Sequence, residues 1–166
     1  RTHHCAELTC EHLDQEVCLM GWVQYRRDHG GLIFIDLRDR EGLTQVVFSP
    51  EHNTKAHEEA HCLRSEYVFA LKGLVRRRPE GMENPELGTG KIEVMVEELK
   101  VLNDSMTPPF SLDERDGMDV AENVRLKYRY LDLRREALRD NMVLRSQVSK
   151  RVRDYFYSED FLEIET

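Results

Sequence analysis

The residues best suited to chemistry in this sequence are an aromatic side chain and the charged side chains around it. A period of two in residues 32–38 separates two sets, with Ile33, Ile35 and Leu37 on one strand face and Phe34, Asp36 and Arg38 on the other. Arg26 and Arg27 precede this strand. An outward aromatic ring beside arginines can stack on an unpaired base while the cations neutralise phosphate. The alternative is that Phe34 packs under a loop and the arginines are solvated.

Cysteine and histidine offer a second type of chemistry, through metal binding or disulfides. The candidates are Cys5, Cys10, Cys18 and Cys62, with His3, His4 and His12 nearby. No Cys-x-x-Cys pair occurs, so the spacing favours reduced thiols over a structural zinc site. His57 and His61 stand at i and i+4 on a predicted helix, but without a third ligand close in sequence they are interpreted as solvated residues.

No catalytic residue set is recognisable in the sequence. There is no Ser/His/Asp arrangement, no glycine-rich phosphate loop followed by lysine, and no ordered set of metal ligands. We therefore predict no catalytic residue, no metal site and no cofactor in these 166 residues. A binding module is the better interpretation.

Five strands and one helix are predicted for the first two thirds of the chain. The strands fall at 16–25, 32–38, 42–48, 66–78 and 90–99, and the helix at 51–64. Gly73 indicates a bend or bulge in the fourth strand. In the fifth strand, alternation places Ile92, Val94 and Val96 inward and Glu93 outward. Trp22 is interpreted as a core or barrel-end anchor. This order of elements matches the five-stranded OB-fold barrel with its helical plug.

After a linker the chain is predicted to be mainly helical, so the fold class is mainly β with a helical C-terminal extension. We expect a barrel over residues 1–104, a linker and hinge over 105–135, and the first helix and strand of another domain over 136–166. In the hinge, Leu126, Tyr130 and Leu133 share one helical face. The last residues, 161–166, read as the beginning of a strand.

Composition limits the classes of function. With 34% charged and 40% hydrophobic residues, and no run of about 20 apolar residues, the chain is predicted to be soluble and without a membrane partner. The cysteine spacing, which favours reduced thiols, predicts a cytoplasmic location. A net charge of -8 argues against coating nucleic acid by bulk electrostatics. The arginines nevertheless cluster in and beside the predicted strands, which permits discrete contacts with one folded RNA.

The amino-acid sequence of these strands resembles that of the anticodon-binding domain of bacterial-type aspartyl-tRNA synthetases, which is an OB-fold barrel. The resemblance is carried by Gly21-Trp22-Val23, by Arg26-Arg27-Asp28-His29-Gly30-Gly31, and by Phe34-Ile35-Asp36-Leu37-Arg38-Asp39. Residues 125–134 resemble the hinge signature of the aspartyl, asparaginyl and lysyl class II enzymes, and 161–166 the start of class II motif 1. The resemblance implies an N-terminal fragment of such a ligase that ends inside motif 1.

The resemblance also implies roles for individual residues. Phe34 would stack on the middle anticodon base, Arg27 and Gln45 would contact anticodon bases, and Glu93 would read the first base. Arg76 and Arg78 would lie near the RNA backbone. His29 stands where relaxed members of the family carry histidine and stricter ones leucine, so the RNA partner would be tRNA-Asp and, in a relaxed enzyme, also tRNA-Asn.

Motifs 2 and 3 of the family, which carry its ATP and aspartate chemistry, would lie beyond residue 166. The resemblance therefore implies ATP and Mg in the parent enzyme, and none of its catalytic activity in this chain alone. It also implies a homodimer for the parent and a weak or absent dimer here. The alternatives are an asparaginyl or lysyl enzyme fragment, a general single-strand-binding OB protein, or a dimerisation element.

Overall fold

A five-stranded sheet that closes on itself forms the first part of the molecule. The computed structural model describes residues 1–113 and 119–165 and divides into two compact units, Arg1–Pro108 and Pro109–Thr166. The strands are β1 Glu16–His29, β2 Leu32–Arg38, β3 Leu43–Phe48, β4 Val68–Arg77 and β5 Ile92–Asn103. They close in the order β1-β2-β3-β5-β4, with β3 and β5 parallel. The predicted mainly β OB-fold architecture is confirmed.

The core of this unit contains the aliphatic sets that the period of two predicts. Both predicted sets, Ile33, Ile35 and Leu37 from β2 and Ile92, Val94 and Val96 from β5, are buried in one cluster with Val17, Leu19 and Val23 from β1. Full burial of such a side chain stabilises the fold by about 1.5–3 kcal/mol. Trp22 does not belong to this core. It is partly exposed on the outer face, and the Arg38 guanidinium carbon lies 6.0 Å from the centroid of its ring.

The helix between β3 and β4 is shorter than predicted. Helix α1 spans Thr54–Ala60, because the Asn53 side chain caps it by accepting a hydrogen bond from the Ala56 N–H. Asn53 also donates to the Glu97 carbonyl of β5 at 2.9 Å, which ties the helix to the sheet. The ring of His57 is not simply solvated, since it packs edge-on against His61 with centroids 4.9 Å apart and its Nε2 is buried.

Strand β1 is longer than its pattern predicts, and this changes the position of the basic residues. The predicted basic turn at 26–31 is in fact a hairpin whose turn consists of Gly30 and Gly31 alone, with φ of 59° and 79°. Two glycines in this left-handed region are what a two-residue hairpin turn requires. Arg27 is therefore a strand residue paired with Phe34, and not a turn residue.

The predicted irregularity at Gly73 is confirmed. The register between β4 and β5 shifts between Lys72 and Gly73. A Cβ at Gly73 would lie 2.3 Å from the Met95 carbonyl oxygen, so this close approach of two backbones requires glycine.

The second unit is helical, with α2 Glu122–Lys127, α3 Arg129–Asp132 and α4 Glu136–Ser158. The predicted single hinge helix is broken at Tyr128, and its expected apolar face is wrong: Leu126 and Tyr130 are exposed, whereas Leu131 is buried. Residues 110–112, predicted as linker, supply Phe110 and Leu112 to a small core with Leu131.

Residues 161–165 are not a strand in this structure, since an extended segment becomes a strand only by pairing with another. Residues 114–118 of the linker and Thr166 of the predicted strand lie outside the described residues. Within the part of the chain that the structure describes, no helix is long and apolar enough to cross a membrane.

Candidate nucleic-acid interface

Arg27 and Phe34 lie opposite each other on β1 and β2 and define the centre of one outer sheet face. Strand alternation sends the two adjacent arginines to different sides. Arg26 pairs with Asp28 and donates to the carbonyls of His61 and Leu63 beyond α1, so its role is structural. Arg27 has a side chain 49% exposed on the outer face, beside the partly exposed ring of Phe34.

Arg27 is held by residues of the next two strands. Its Nη2 donates to Gln45 Oε1 at 3.0 Å, and the same nitrogen lies 3.4 Å from Asp36 Oδ1. Asp36 and Gln45 are cross-strand partners on β2 and β3. Because the guanidinium is fixed through one nitrogen, its other donors are available to a ligand.

Glu93 continues this chain of contacts onto β5 and β4. Gln45 Nε2 donates to Glu93 Oε2 at 2.8 Å, while Arg76 Nε donates to Glu93 Oε1 at 2.8 Å. Glu93 lies on the outer face, as the alternation predicts, but it is buried beneath its partners and only 2% exposed. Because both oxygens are hydrogen-bonded and the partners cover the carboxylate, an RNA base would have to displace one of these partners to reach it.

Arg78 follows directly after β4 and is the most buried cation of the site. Its Nε donates to the Ile92 carbonyl at 3.0 Å, whereas Nη2 is buried and has no hydrogen-bond partner among the described residues. Burial lowers the pKa of this guanidinium; Arg27 acts in the same direction, and Glu93 and Asp36 oppose it. A buried donor without a partner is costly, so an incoming acceptor would relieve that cost.

His29 occupies the end of β1, opposite Leu32 and next to the glycine turn. Its side chain is exposed, and no hydrogen bond joins its ring to a described residue. The structure therefore leaves His29 at the rim of the face and separate from the hydrogen-bonded network.

One outer face thus brings together five predicted site residues, Arg27, Phe34, Gln45, Arg76 and Glu93, with Arg78 at its margin and His29 at its rim. Sequence reasoning assigned no role to Asp36 or Tyr25, which belong to the same face. Both share the strand parity of a predicted residue, since Asp36 is two positions from Phe34 and Tyr25 two positions from Arg27. For Asp36 this parity was the signal that could have found it. For Tyr25 it was not, because simple alternation along β1 places Tyr25 with the core residue Val23, and only the register shift between them turns Tyr25 outward.

The charges of this face suit a single-stranded RNA. Three arginines, Arg27, Arg76 and Arg78, stand against two carboxylates, Asp36 and Glu93. The face is therefore locally cationic in a chain of net charge -8. Ring, amide, carboxylate and guanidinium groups together can stack on a base, bind its polar edges and neutralise phosphate.

Comparison with known proteins agrees with the fold. The model of a family described as OB-fold nucleic acid binding domain matches residues 17–102, more than half of the chain. A second model, for tRNA synthetases class II (D, K and N), matches residues 121–166. The chain therefore belongs to the family described as OB-fold nucleic acid binding domain. Its C-terminal residues are similar to class II tRNA synthetases.

The similar curated proteins are more specific. An aspartate–tRNA(Asp/Asn) ligase of Oleidesulfovibrio alaskensis is 59% identical over the whole chain, and one of Nitratidesulfovibrio vulgaris is 58% identical. The chain spans 27% of the length of each. The resemblance to aspartyl-tRNA synthetases stated from the sequence is thereby confirmed.

A solved structure has the same fold as this chain. The aspartyl-tRNA synthetase of Entamoeba histolytica has a TM-score of 0.87 at 19% identity, and the match covers the whole of this chain and 39% of that one. At this identity the match establishes the fold alone.

Proposed function

We propose that this chain is the anticodon-binding part of an aspartate–tRNA ligase and that it binds the unpaired anticodon loop on the face around Arg27 and Phe34. The observation that carries this proposal is the network from Arg27 through Gln45 and Glu93 to Arg76, which crosses the sheet beside an outward aromatic ring. Such a network holds polar groups in fixed positions before the RNA arrives, which reduces the entropy lost on binding.

Each residue has a distinct role in this proposal. Phe34 stacks on the middle anticodon base, and Arg27 and Gln45 bind base edges. Glu93 accepts hydrogen bonds from the guanine edge of the first base after exchanging a contact with Gln45 or Arg76. Arg76 and Arg78 neutralise the backbone, and the unpartnered Nη2 of Arg78 supplies a donor.

The parent enzyme would attach aspartate to tRNA-Asp in an ATP- and Mg-dependent reaction in the cytoplasm, and His29 would admit tRNA-Asn as a second substrate. We assign ATP and Mg to catalytic motifs outside these residues. The chain alone is expected to give no aspartate-dependent ATP–pyrophosphate exchange. It is also expected to form at most a weak dimer, which sedimentation at increasing concentration would measure.

Titration of RNA hairpins tests the proposed function. The chain should bind a hairpin carrying the aspartate anticodon more tightly than one with a scrambled loop, at one fixed salt concentration. Phe34→Ala should weaken binding by about 1–3 kcal/mol, the range for loss of one stacked base, while thermal melts show a folded domain. Equal affinity for both hairpins would instead favour a general single-strand-binding protein.

A further inference from the structure

We infer that Tyr25 is a second stacking position of this interface and holds an unpaired base next to the one on Phe34. The inference rests on the proposed function, because it assumes that the ligand is single-stranded RNA. It adds a contact that the sequence-based site did not contain.

The sheet register places Tyr25 and Phe34 on one face as diagonal neighbours. Tyr25 pairs with Asp36, and Arg27 pairs with Phe34, across the same two antiparallel strands. The register shifts between Val23 and Tyr25, which allows Tyr25 to share the face of Arg27 although Val23 is buried in the core. Diagonal neighbours in an antiparallel pair lie roughly 7–8 Å apart, within reach of aromatic side chains.

The Tyr25 side chain is also accessible to solvent, and its ring is in contact with Arg27. Its side chain is 50% exposed, in contrast to the buried Asp36 opposite it. The Arg27 guanidinium carbon lies 5.8 Å from the centroid of the Tyr25 ring, so the cation contacts the ring without covering it completely. A second base would stack on the face of the Tyr25 ring that Arg27 does not occupy, and the neighbouring guanidinium would be available to the phosphates.

Two adjacent aromatic rings are a common way to hold successive unpaired bases, because every base has a face that can stack. Tyrosine loses little conformational entropy on binding, since it has only two side-chain torsions. The expected contribution of Tyr25 is therefore to affinity for the loop and not to discrimination between bases.

The test is titration of the aspartate-anticodon hairpin with four variants of the chain. Tyr25→Ala and Tyr25→Leu should both weaken binding by about 5- to 150-fold, and Tyr25→Phe should stay within about twofold of the unaltered chain. Met20→Ala is the matched control, an exposed apolar residue on the same strand that faces β4. It should leave the affinity unchanged.

Two further measurements separate stacking from an indirect effect through Arg27. A stacking contact leaves the salt dependence of binding parallel to that of the unaltered chain, because no phosphate contact is lost. In an Arg27→Ala background, Tyr25→Ala should still weaken binding at least fivefold. If its effect disappears there, Tyr25 acts only by orienting Arg27, and the inference is wrong.

The outcomes distinguish this inference from the proposed function. If Phe34→Ala weakens binding and Tyr25→Ala does not, the second stacking position is wrong and the anticodon site stands. If the unaltered chain does not prefer the anticodon hairpin, the proposed function fails and the inference fails with it.

Discussion

Gln45 and Glu93, 48 positions apart in the sequence, are joined by a hydrogen bond of 2.8 Å from Nε2 to Oε2. The contact links β3 to β5, the parallel strands of the closed sheet. Because Gln45 also accepts a hydrogen bond from Arg27 on β1, and Glu93 accepts one from Arg76 on β4, the contact connects these two arginines. A change at one of these residues should therefore be felt by the others.

Glu93→Gln tests the network directly. The substitution removes the carboxylate that Arg76 contacts at 2.7 Å and leaves three arginines with less neutralising charge. We expect the free energy of unfolding to fall by about 1–3 kcal/mol, the range for loss of a hydrogen-bonded charged partner. Urea denaturation at pH 7 measures the change.

Glu98→Gln on the same strand is the matched control for that experiment. Glu98 lies 3.5 Å from Lys72 but its side chain is 70% exposed. Such a pair contributes little, so the loss should stay below about 1 kcal/mol. Equal losses for the two variants would contradict a structural role for the Glu93 contacts.

Gly73→Ala should destabilise the closed sheet. The added Cβ would meet the Met95 carbonyl oxygen at 2.3 Å, and neither backbone can move without disturbing the β4–β5 pairing. We expect a loss of about 1–3 kcal/mol from this steric conflict, read from the midpoint of thermal unfolding. Gly88→Ala is the control, since a Cβ there meets nothing within 4 Å; a similar loss in both would refute the close-approach explanation.

Asp39 should make the stability of the first unit depend on acid pH. Burial alone would raise the pKa of Asp39, but hydrogen bonds outweigh it and hold the pKa below the ordinary value of 3.8; the donors are the backbone N–H groups of Cys5, Glu41 and Gly42 and the ring of His4. A carboxylate with a depressed native pKa stabilises the fold above the unfolded-state pKa. That stability is lost as pH falls through the native pKa.

Asp39→Asn is therefore expected to lower stability at pH 7 by about 1–3 kcal/mol and to flatten the fall in stability below pH 4. The measurement is urea unfolding at pH 7 and at intervals down to acid. Glu58→Gln, at an exposed position of α1, should retain the full acid dependence. An unchanged pH profile in Asp39→Asn would show that other carboxylates dominate acid unfolding.

His29→Leu tests the relaxed specificity proposed for this chain. The third anticodon base is cytosine for aspartate and uracil for asparagine, and these present an amino donor and a carbonyl acceptor respectively. An imidazole can serve as donor or acceptor, whereas leucine can do neither. We expect the variant to prefer the aspartate hairpin by up to about tenfold more than the unaltered chain, the equivalent of one hydrogen bond.

The readout for His29 is the ratio of the two dissociation constants, measured side by side at one salt concentration. The exposed position of His29 at the hairpin end means that the substitution should leave thermal stability unchanged. An unchanged ratio would remove His29 from the interface.

Local pattern alone determined the strands and the faces of most of their residues. A period of two depends only on the geometry of an extended chain, so Ile33 and Ile35 could be assigned to the core, and Phe34 to the outer face, without a structure. The same argument failed at Arg27, because the number of residues in a hairpin turn is set by pairing with the next strand. Arg27 became a strand residue only once Phe34 was opposite it.

Helical pattern was less reliable in the second unit. The spacing of Leu126 and Tyr130 predicted a buried face, but Tyr128 interrupts the helix and Leu131 is the residue that packs on Phe110. A helical period specifies one face only while the helix is continuous. The break rotates the residues that follow it.

The sequence by itself determined the fold class, the aliphatic core and the types of residue that are able to contact RNA. These properties follow from local periodicity and side-chain chemistry. Only the tertiary structure decided that Gln45 and Glu93 touch, that Glu93 is buried while Arg27 stays accessible, and that Tyr25 lies diagonal to Phe34. The physical reason is closure of the sheet. Register and closure depend on contacts between distant strands, and no local pattern encodes them.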